Sequence, residues 1–163
     1  EKMGPFRKNT TPALRKEFKA SHQWQLLDTG ADSFVQRLNL IRSAQKTIEL
    51  EFFIFDLDAA SRITTTELIK KAKQGVQVRI LVDSSMPVFR LTPAYAKLLR
   101  EHGIHVKYYN FLPVYRFISS QHRSHRKLLI VDDSAFITGG RNVAKDYFDM
   151  DEDYNFIDSD ILI

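Results

Sequence analysis

The sequence contains no cysteine, which excludes disulfide bonds, catalysis by a thiolate and zinc sites built on cysteine. It also has no apolar run near the roughly 18 residues that a membrane-spanning helix needs. Enough apolar material is present for a core, because 44% of the 163 residues are hydrophobic and 12% are aromatic. Lys and Arg exceed Asp and Glu by only 24 to 20, so charge favours anionic partners without choosing between phospholipid and nucleic acid. Composition therefore predicts one globular domain.

The chain divides into a basic leader, residues 1–25, and a folded domain, residues 26–163. The basic residues of the leader are Lys2, Arg7, Lys8, Arg15, Lys16 and Lys19. We expect the leader to be loosely ordered and to carry little chemistry. At the other end, residues 156–163 turn apolar as though the chain stopped inside a strand. We therefore expect the chain to be part of a longer protein.

Helix and strand patterns alternate through the first two thirds of the domain. A helix is expected from Asp32 or Ser33 to about Gln45, because apolar residues recur at helical spacing after a capping residue. The elements expected after it are a strand over 47–55, a helix over 64–73, a strand over 76–82, a helix over 93–101 and a strand over 105–109. This succession predicts βαβ crossovers with parallel pairing, so the expected fold class is α/β.

A hairpin is expected after these units. Strands over 127–131 and 135–138 flank the sequence Asp132-Asp133-Ser134, whose composition is typical of a turn. A short helix over 142–147 and an acidic loop over 149–153 should follow. The candidate catalytic residues lie at this hairpin.

The candidate chemistry begins with His125, Lys127 and Asp132, which have the spacing His-x-Lys-x4-Asp. In an extended segment His125 and Lys127 project from one face, so both can reach one phosphate. An imidazole is a competent nucleophile toward phosphorus, and an ammonium neutralises charge on the phosphoryl oxygens without a metal ion. Asp132 has the opposite parity and lies at a turn, which favours a structural role in fixing the hairpin.

Gly139, Gly140 and Asn142 follow the hairpin. Paired glycines after a strand permit close approach of the backbone to a phosphate, and an asparagine amide can donate to a phosphoryl oxygen. We therefore expect these three residues to bind the substrate phosphate together with Lys127.

These motifs together resemble the signature of the phospholipase D superfamily. The stretches 47–55, 75–83 and 139–148 are also similar to the first half of bacterial cardiolipin synthases, so the resemblance covers most of the chain beyond about residue 25. It implies a mixed, largely parallel sheet flanked by helices on both faces, with no cofactor and no metal. It further implies that His125 forms a phosphohistidine, that Lys127 and Asn142 hold the phosphoryl oxygens, and that Asp158 accepts a hydrogen bond from His125 Nδ1.

Several candidates have an equally simple structural explanation. Glu51 matches a polar position near the family's site, but a salt-bridged strand residue would look the same. Asp158 could be a solvated carboxylate at a strand edge. The basic residues around the motif, which could form a funnel for an anionic headgroup or a nucleic-acid backbone, are Arg116, His122, Arg123, Arg126 and Arg141. A solvated basic face accounts for them as well.

The chain has a single motif, whereas family sites are built from two, because a second histidine protonates the leaving alkoxide. The second half is expected from the C-terminal part of a longer protein, or else from another copy in a homodimer. Three functions remain open: a phospholipase D or phosphatidyltransferase acting on anionic glycerophospholipids, a metal-independent nuclease, and a non-catalytic phosphate-binding half that completes a partner's site. A lipid enzyme of this kind would be bacterial and would lie at the inner membrane surface.

Overall fold

The computed structural model describes residues 23–84, 91–110 and 123–163. The leader up to residue 22 and the basic residues Arg116 and His122 lie outside the described residues. The described part forms a mixed sheet and three α-helices. The strands are β1 (Gln25–Leu27), β2 (Thr47–Phe52), β3 (Gln77–Asp83), β4 (His105–Tyr109), β5 (Leu128–Val131), β6 (Ala135–Gly139) and β7 (Asp160–Leu162). The helices are α1 (Gly30–Ser43), α2 (Ala59–Lys73) and α3 (Pro93–Glu101), and Lys145–Tyr147 forms a 3₁₀ turn.

The strands of the sheet follow the order β1-β7-β6-β5-β2-β3-β4. Strands β2, β3 and β4 are parallel, as the βαβ pattern predicts. All other neighbours are antiparallel. The α/β class and the mixed sheet are thus confirmed, but the parallel part is smaller than expected. The reason is that β5, β6, β7 and β1 all add to the other side of β2 as antiparallel strands. Of these pairs, β5 and β6 are joined by a turn too short for a parallel crossover.

The core of the described structure lies between one face of the sheet and the three helices. Ile48, Leu50 and Phe52 alternate along β2 toward this face and are buried. Each helix adds residues to the same cluster, for example Ile41, Leu68 and Leu99. The helices expected on a second face have no counterpart among residues 23–84, 91–110 and 123–163. That face carries the half-exposed or exposed side chains of Glu49, Glu51, Arg79, Leu81 and Lys107.

Two helices begin earlier than the sequence pattern indicated. Helix α1 is capped by Thr29, whose Oγ1 accepts a hydrogen bond from the Asp32 backbone N–H at 3.0 Å. Ser33 is therefore inside the helix, where it is buried. Helix α2 is capped by Asp58, which forms a reciprocal capping box with Ser61. A local cap decides each start, and the apolar spacing alone does not locate it.

Other elements differ from the expected bounds where tertiary contacts intervene. Strand β2 ends at Phe52, because Phe55 instead forms an isolated bridge with Val143. Residues 142–147 contain only the short 3₁₀ turn and no α-helix. Trp24 is 67% exposed and is not part of the core. In contrast, α3 and β4 have the bounds that the sequence predicts.

Candidate active site

His125 and Lys127 lie immediately before β5, beside the end of β2. The two strands pair antiparallel with Glu51 opposite Leu128, so the residues before Leu128 pass the end of β2. There the His125 ring stacks on Phe53, with 4.1 Å between ring centroids and 18° between planes. The Lys127 Nζ lies 5.8 Å from the centroid of the same ring and donates a 2.7 Å hydrogen bond to the His125 carbonyl oxygen. Phe53 is therefore a shared platform for both candidate catalytic side chains.

Phe53 was missed as a site residue from the sequence alone. It has the same strand parity as Glu51, which places both on the sheet face that the helices leave open. This parity would indicate a place in the site only if the pairing of β5 with β2 were known, and the local sequence pattern does not predict that pairing. An aromatic residue at this position predicts only a strand, because aromatic residues are common in strands.

Asp158 lies close to Lys127 and to the glycine pair. Burial lowers the pKa of Lys127 from its ordinary value, and the negative charge of Asp158 acts in the opposite direction. A Cβ atom built on Gly140 would overlap the Asp158 carboxylate, and one built on Gly139 would overlap Asp160. The Gly140 N–H donates to the Ser159 carbonyl at 3.1 Å. Glycine is therefore needed at positions 139 and 140 because a side chain there would overlap the segment that leads into β7, and not for the expected approach to a phosphate. The Gly140 N–H is already bonded to Ser159 and is not free for a phosphate.

Asn142 is held near the end of β2 by Ile54, the residue that follows Phe53. Its Oδ1 accepts a 2.9 Å hydrogen bond from the Ile54 backbone N–H. Because a backbone N–H needs an acceptor, this contact fixes the oxygen of the amide on Ile54 and leaves the amide nitrogen as the end that can donate to an anion. The side chain is 2% exposed, so its orientation is well defined by packing.

Asp132 lies at the far end of β5 from this group. Its carboxylate accepts backbone hydrogen bonds from Gln45, Lys46 and Thr47 at 2.7 to 2.8 Å. These bonds, led by the one from Thr47, lower the pKa of Asp132 from its ordinary value. Asp132 is five positions beyond Lys127 along the extended chain, which corresponds to roughly 17 Å. Asp132 cannot contact a phosphate bound at Lys127, and it ties the β5–β6 turn to the start of β2.

Glu51 and Arg123 contact the segment that leads into His125. Glu51 Oε1 accepts a 2.6 Å hydrogen bond from Ser124 Oγ, and its other oxygen lies 3.6 Å from an Arg126 nitrogen. Asp83, at the end of β3, accepts from the Ser124 backbone N–H at 2.8 Å and pairs with Arg123 at 3.3 Å. These contacts fasten residues 123–126 across the open face of the sheet, so the motif enters the site from a fixed direction.

Arg141 does not belong to a surface funnel, contrary to the expectation from its charge. It is 1% exposed, and its guanidinium donates to the carbonyl oxygens of Leu27 and Asp28 at 2.9 and 2.6 Å. The arginine is therefore used inside the fold, where it joins β1 to the loop after β6. Local charge density in the sequence could not reveal this burial, because the partners are more than 100 residues away.

Two features are absent from residues 23–84, 91–110 and 123–163. No helix there is long and apolar enough to cross a membrane. No group of three or more His, Asp or Glu side chains within that part of the chain is arranged to hold a metal ion.

The sequence matches one family model and is similar to several bacterial proteins. Residues 38–161 match the family described as cardiolipin synthase, PLD-like domain. The chain is 36% identical over 154 residues to an uncharacterized protein of Helicobacter pylori, covering 84% of this chain and 29% of that protein. It is 33% identical over 141 residues to the major cardiolipin synthase ClsA of Bacillus subtilis, covering 85% and 29%. The chain thus spans less than a third of the length of these relatives.

Solved structures share the fold at low sequence identity. A phospholipase D family member, Nuc from Salmonella typhimurium, superposes with a TM-score of 0.64 at 22% identity, covering 86% of this chain and 82% of Nuc. Phosphatidylserine synthase from Haemophilus influenzae gives a TM-score of 0.67 at 19% identity, covering 86% and 33%.

Proposed function

The chain belongs to the family of PLD-like domains of cardiolipin synthase, and on that premise we propose that it is the half of a phospholipase D-type enzyme that carries the nucleophile. The proposed substrates are anionic glycerophospholipids. The proposed reaction is cleavage of the phosphodiester, followed by transfer of the phosphatidyl group to an alcohol or to water. Such an enzyme would act at the inner membrane surface of a bacterium.

The observation that carries this proposal is the convergence of four polar side chains at the end of β2. His125 and Lys127 both contact the Phe53 ring. Asn142 accepts a hydrogen bond from the next residue, Ile54, and the negative charge of Asp158 raises the pKa of Lys127 against the effect of burial. An imidazole, an ammonium and an amide donor together suit a phosphate monoanion. This combination supplies a nucleophile and neutralisation of developing charge.

The proposed first step forms a bond between His125 Nε2 and phosphorus and breaks the bond from phosphorus to the leaving alcohol. The leaving alkoxide takes a proton from a general acid. Lys127 and the Asn142 amide nitrogen bind the phosphoryl oxygens, and Asp158 accepts the Nδ1 proton of His125 in a hydrogen bond that sets the tautomer. In the second step an alcohol or water gives its proton to the conjugate base of that general acid and attacks phosphorus, which breaks the bond from phosphorus to His125 Nε2 and frees the histidine.

The general acid of this scheme must come from a second histidine motif. The sequence holds one His-x-Lys-x4-Asp motif, and the curated relatives are more than three times as long as the matched region. We propose that the second motif lies in a further part of the same protein. A second copy of the chain related by a twofold axis is the alternative source.

A metal-independent nuclease working as a homodimer is the second candidate function. It is favoured by the single motif and by the excess of basic residues. A non-catalytic half that binds phosphate and completes a partner's site is the third, and it rests on the missing second motif alone.

A direct comparison of substrates separates these functions. The full-length protein is incubated in EDTA with vesicles containing labelled phosphatidylglycerol and, separately, with single-stranded DNA, and each assay is repeated with His125→Ala. Lipid turnover that the variant lacks supports the proposal. DNA cleavage without lipid turnover establishes the nuclease, and no turnover of either substrate leaves the non-catalytic half.

A further inference from the structure

A buried network of charged groups lies directly beneath the candidate site. Arg37 on α1 and Asp160 on β7 are 5% and 2% exposed and form an ion pair at 2.9 Å. Ser33 Oγ donates to the same carboxylate oxygen at 2.5 Å, and Arg37 Nε donates to Ser33 Oγ at 3.3 Å. The Arg37 guanidinium is also stacked near the rings of Phe52 and Phe148. Burying such charges costs free energy that a purely apolar cluster would avoid, so the network calls for a reason.

The network is bonded to the backbone that carries Asn142. Arg37 Nη2 donates to the Arg141 carbonyl oxygen at 3.0 Å. This oxygen belongs to the peptide unit that joins Arg141 to Asn142. The Arg141 N–H lies 3.3 Å from Asp160 Oδ1. Both peptide units around Arg141 are therefore held by Arg37 and Asp160, and the orientation of the next side chain, Asn142, depends on them.

The same network fixes the segment that carries Asp158. Asp160 is two residues further along the chain, in register with Gly139 of β6 and Leu27 of β1. Ser159 accepts from the Gly140 N–H, and Asp158 lies against Gly140. Anchoring the Asp160 side chain to α1 thus sets the distance of Asp158 from the glycine pair and from Lys127.

We propose that Arg37 and Asp160 are positioning residues: they hold the Asn142 amide toward the substrate phosphate and Asp158 toward His125, so that the phosphoryl oxygens are bound while the nucleophile is oriented. Neither residue reaches the substrate, since both side chains are enclosed. This inference rests on the proposed phosphoryl-transfer function for its kinetic test. The arrangement of the phosphate site can also be tested without turnover, by measuring how tightly a phosphate analogue binds.

The test uses Arg37→Lys in the full-length protein. Lysine keeps the positive charge but lacks the planar fork that bonds Asp160, Ser33 and the Arg141 carbonyl at once. The matched control is Arg42→Lys on the same helix, because Arg42 pairs with Glu67 at the surface at 3.2 Å. We measure kcat and KM with phosphatidylglycerol, orthovanadate affinity by isothermal titration, and thermal unfolding. All assays are made well below each variant's Tm.

The expected result is a loss in kcat of roughly 10-fold to 100-fold with little change in KM, the size of effect that follows from small displacements of positioned groups. Orthovanadate, which mimics the pentacoordinate phosphorus, should bind more weakly by a similar factor. The Arg42→Lys control should match the wild type in both. A lower Tm with unchanged kcat and vanadate affinity would show that the network serves folding alone.

Two further outcomes are interpretable. If Arg37→Lys does not fold, Ser33→Ala tests the same network, because it removes one bond to Asp160 while changing little volume. It should lower kcat and vanadate affinity in parallel, and unchanged values overturn the proposal. If the wild type turns over no substrate, the proposed function fails. Vanadate binding that is weaker in the variant than in the wild type then still supports positioning. No vanadate binding to the wild type, or equal binding to both proteins, refutes it.

Discussion

The two ends of strand β5 carry residues of one sequence motif in contrasting surroundings. Before the strand, His125 is exposed and Lys127 half-buried, and both rest on an aromatic ring beside the open face of the sheet. After it, Asp132 accepts three backbone hydrogen bonds and has no side-chain partner near the phosphate site. In the proposed site the near end would present functional groups to a ligand, whereas the carboxylate at the far end ties the strand to the residues before β2. The spacing of the motif is thus the length of one strand, with the proposed catalytic residues at one end and a structural anchor at the other.

Replacement of the nucleophile should give the largest difference between the two ends. His125→Ala should lower kcat by at least about 10⁴-fold, because the reaction loses its covalent intermediate. Tm should change little, since the side chain is exposed. Turnover of phosphatidylglycerol, acid-labile phosphoenzyme and thermal unfolding measure these effects. His105→Ala, which alters an exposed histidine on β4, is the control, and more than a tenth of wild-type activity in His125→Ala would contradict the assignment.

Removal of the ammonium at the same end should cost less. Lys127→Met is expected to reduce kcat about 10²-fold to 10³-fold, the effect of deleting one group that stabilises developing charge. Burial lowers the pKa of Lys127 from its ordinary value of 10.5. The ammonium should therefore lose its proton, and activity should decline, at a pH below 10.5. Lys127→Arg should remove that alkaline decline, because its guanidinium stays charged. An identical alkaline limb in Lys127→Arg would assign the decline to another group.

The platform beneath these residues should give an intermediate effect. Phe53→Leu removes the stacking on His125 and the contact of its ring with Lys127, interactions worth about 0.5 to 1.5 kcal/mol each. We expect kcat to fall by roughly 10-fold, with KM nearly unchanged. Phe53→Tyr keeps the ring and should retain most activity. Equal kinetics of Phe53→Leu and the wild type would show that the ring contributes nothing to the site.

The far end of the strand should respond in stability and not in rate. Asp132→Asn should lower Tm while kcat stays within about twofold, because the carboxylate is remote from the phosphate. The folded-state pKa of Asp132 lies below its ordinary value of 3.8. Its stabilisation is therefore present above pH 3.8 and is lost as pH falls through the lower folded pKa. The Tm difference from wild type should shrink in acid, which calorimetry across this range can measure.

The neighbouring residue supplies the control for this variant. Asp133 also has a positive φ of 53°, and asparagine tolerates this conformation. Asp133→Asn should leave Tm unchanged, so that a loss confined to Asp132→Asn reports the hydrogen bonds of its carboxylate. A fall in kcat of tenfold or more with unchanged Tm would move Asp132 to the functional side of the comparison.

Much of the fold could be predicted from local sequence, but less of the site. Helix α3 and strand β4 have the predicted bounds because Thr92 and Pro93 start the helix and Gly103, with a φ of 82°, ends it. The residues expected at the phosphate, His125, Lys127, Asn142 and Asp158, lie at one edge of the sheet. Phe53 could not be assigned to this site, because its place there depends on pairing between β2 and β5.

The two acidic residues on either side of Ser159 show where sequence reasoning ends. Asp158 and Asp160 differ by two positions and have the same charge, so no local pattern sorts one from the other. In the fold Asp160 is enclosed by Arg37, Ser33 and Arg141, while Asp158 lies toward Lys127. Arg141 was misjudged for the same reason, since the groups that bury it come from the start of the described chain.

The sequence by itself determined the motif, the alternation of helices and strands, and the family, because each depends on residues close together along the chain. Only the tertiary structure decided which carboxylate is buried, which arginine lies inside, and which aromatic ring supports the site. The hydrogen bonds of Asp160 and Arg141 join residues more than 100 positions apart, and the stacking of Phe53 on His125 joins residues 72 positions apart. Their partners are chosen by the order of strands in the sheet, and that order has no periodic signature in the sequence.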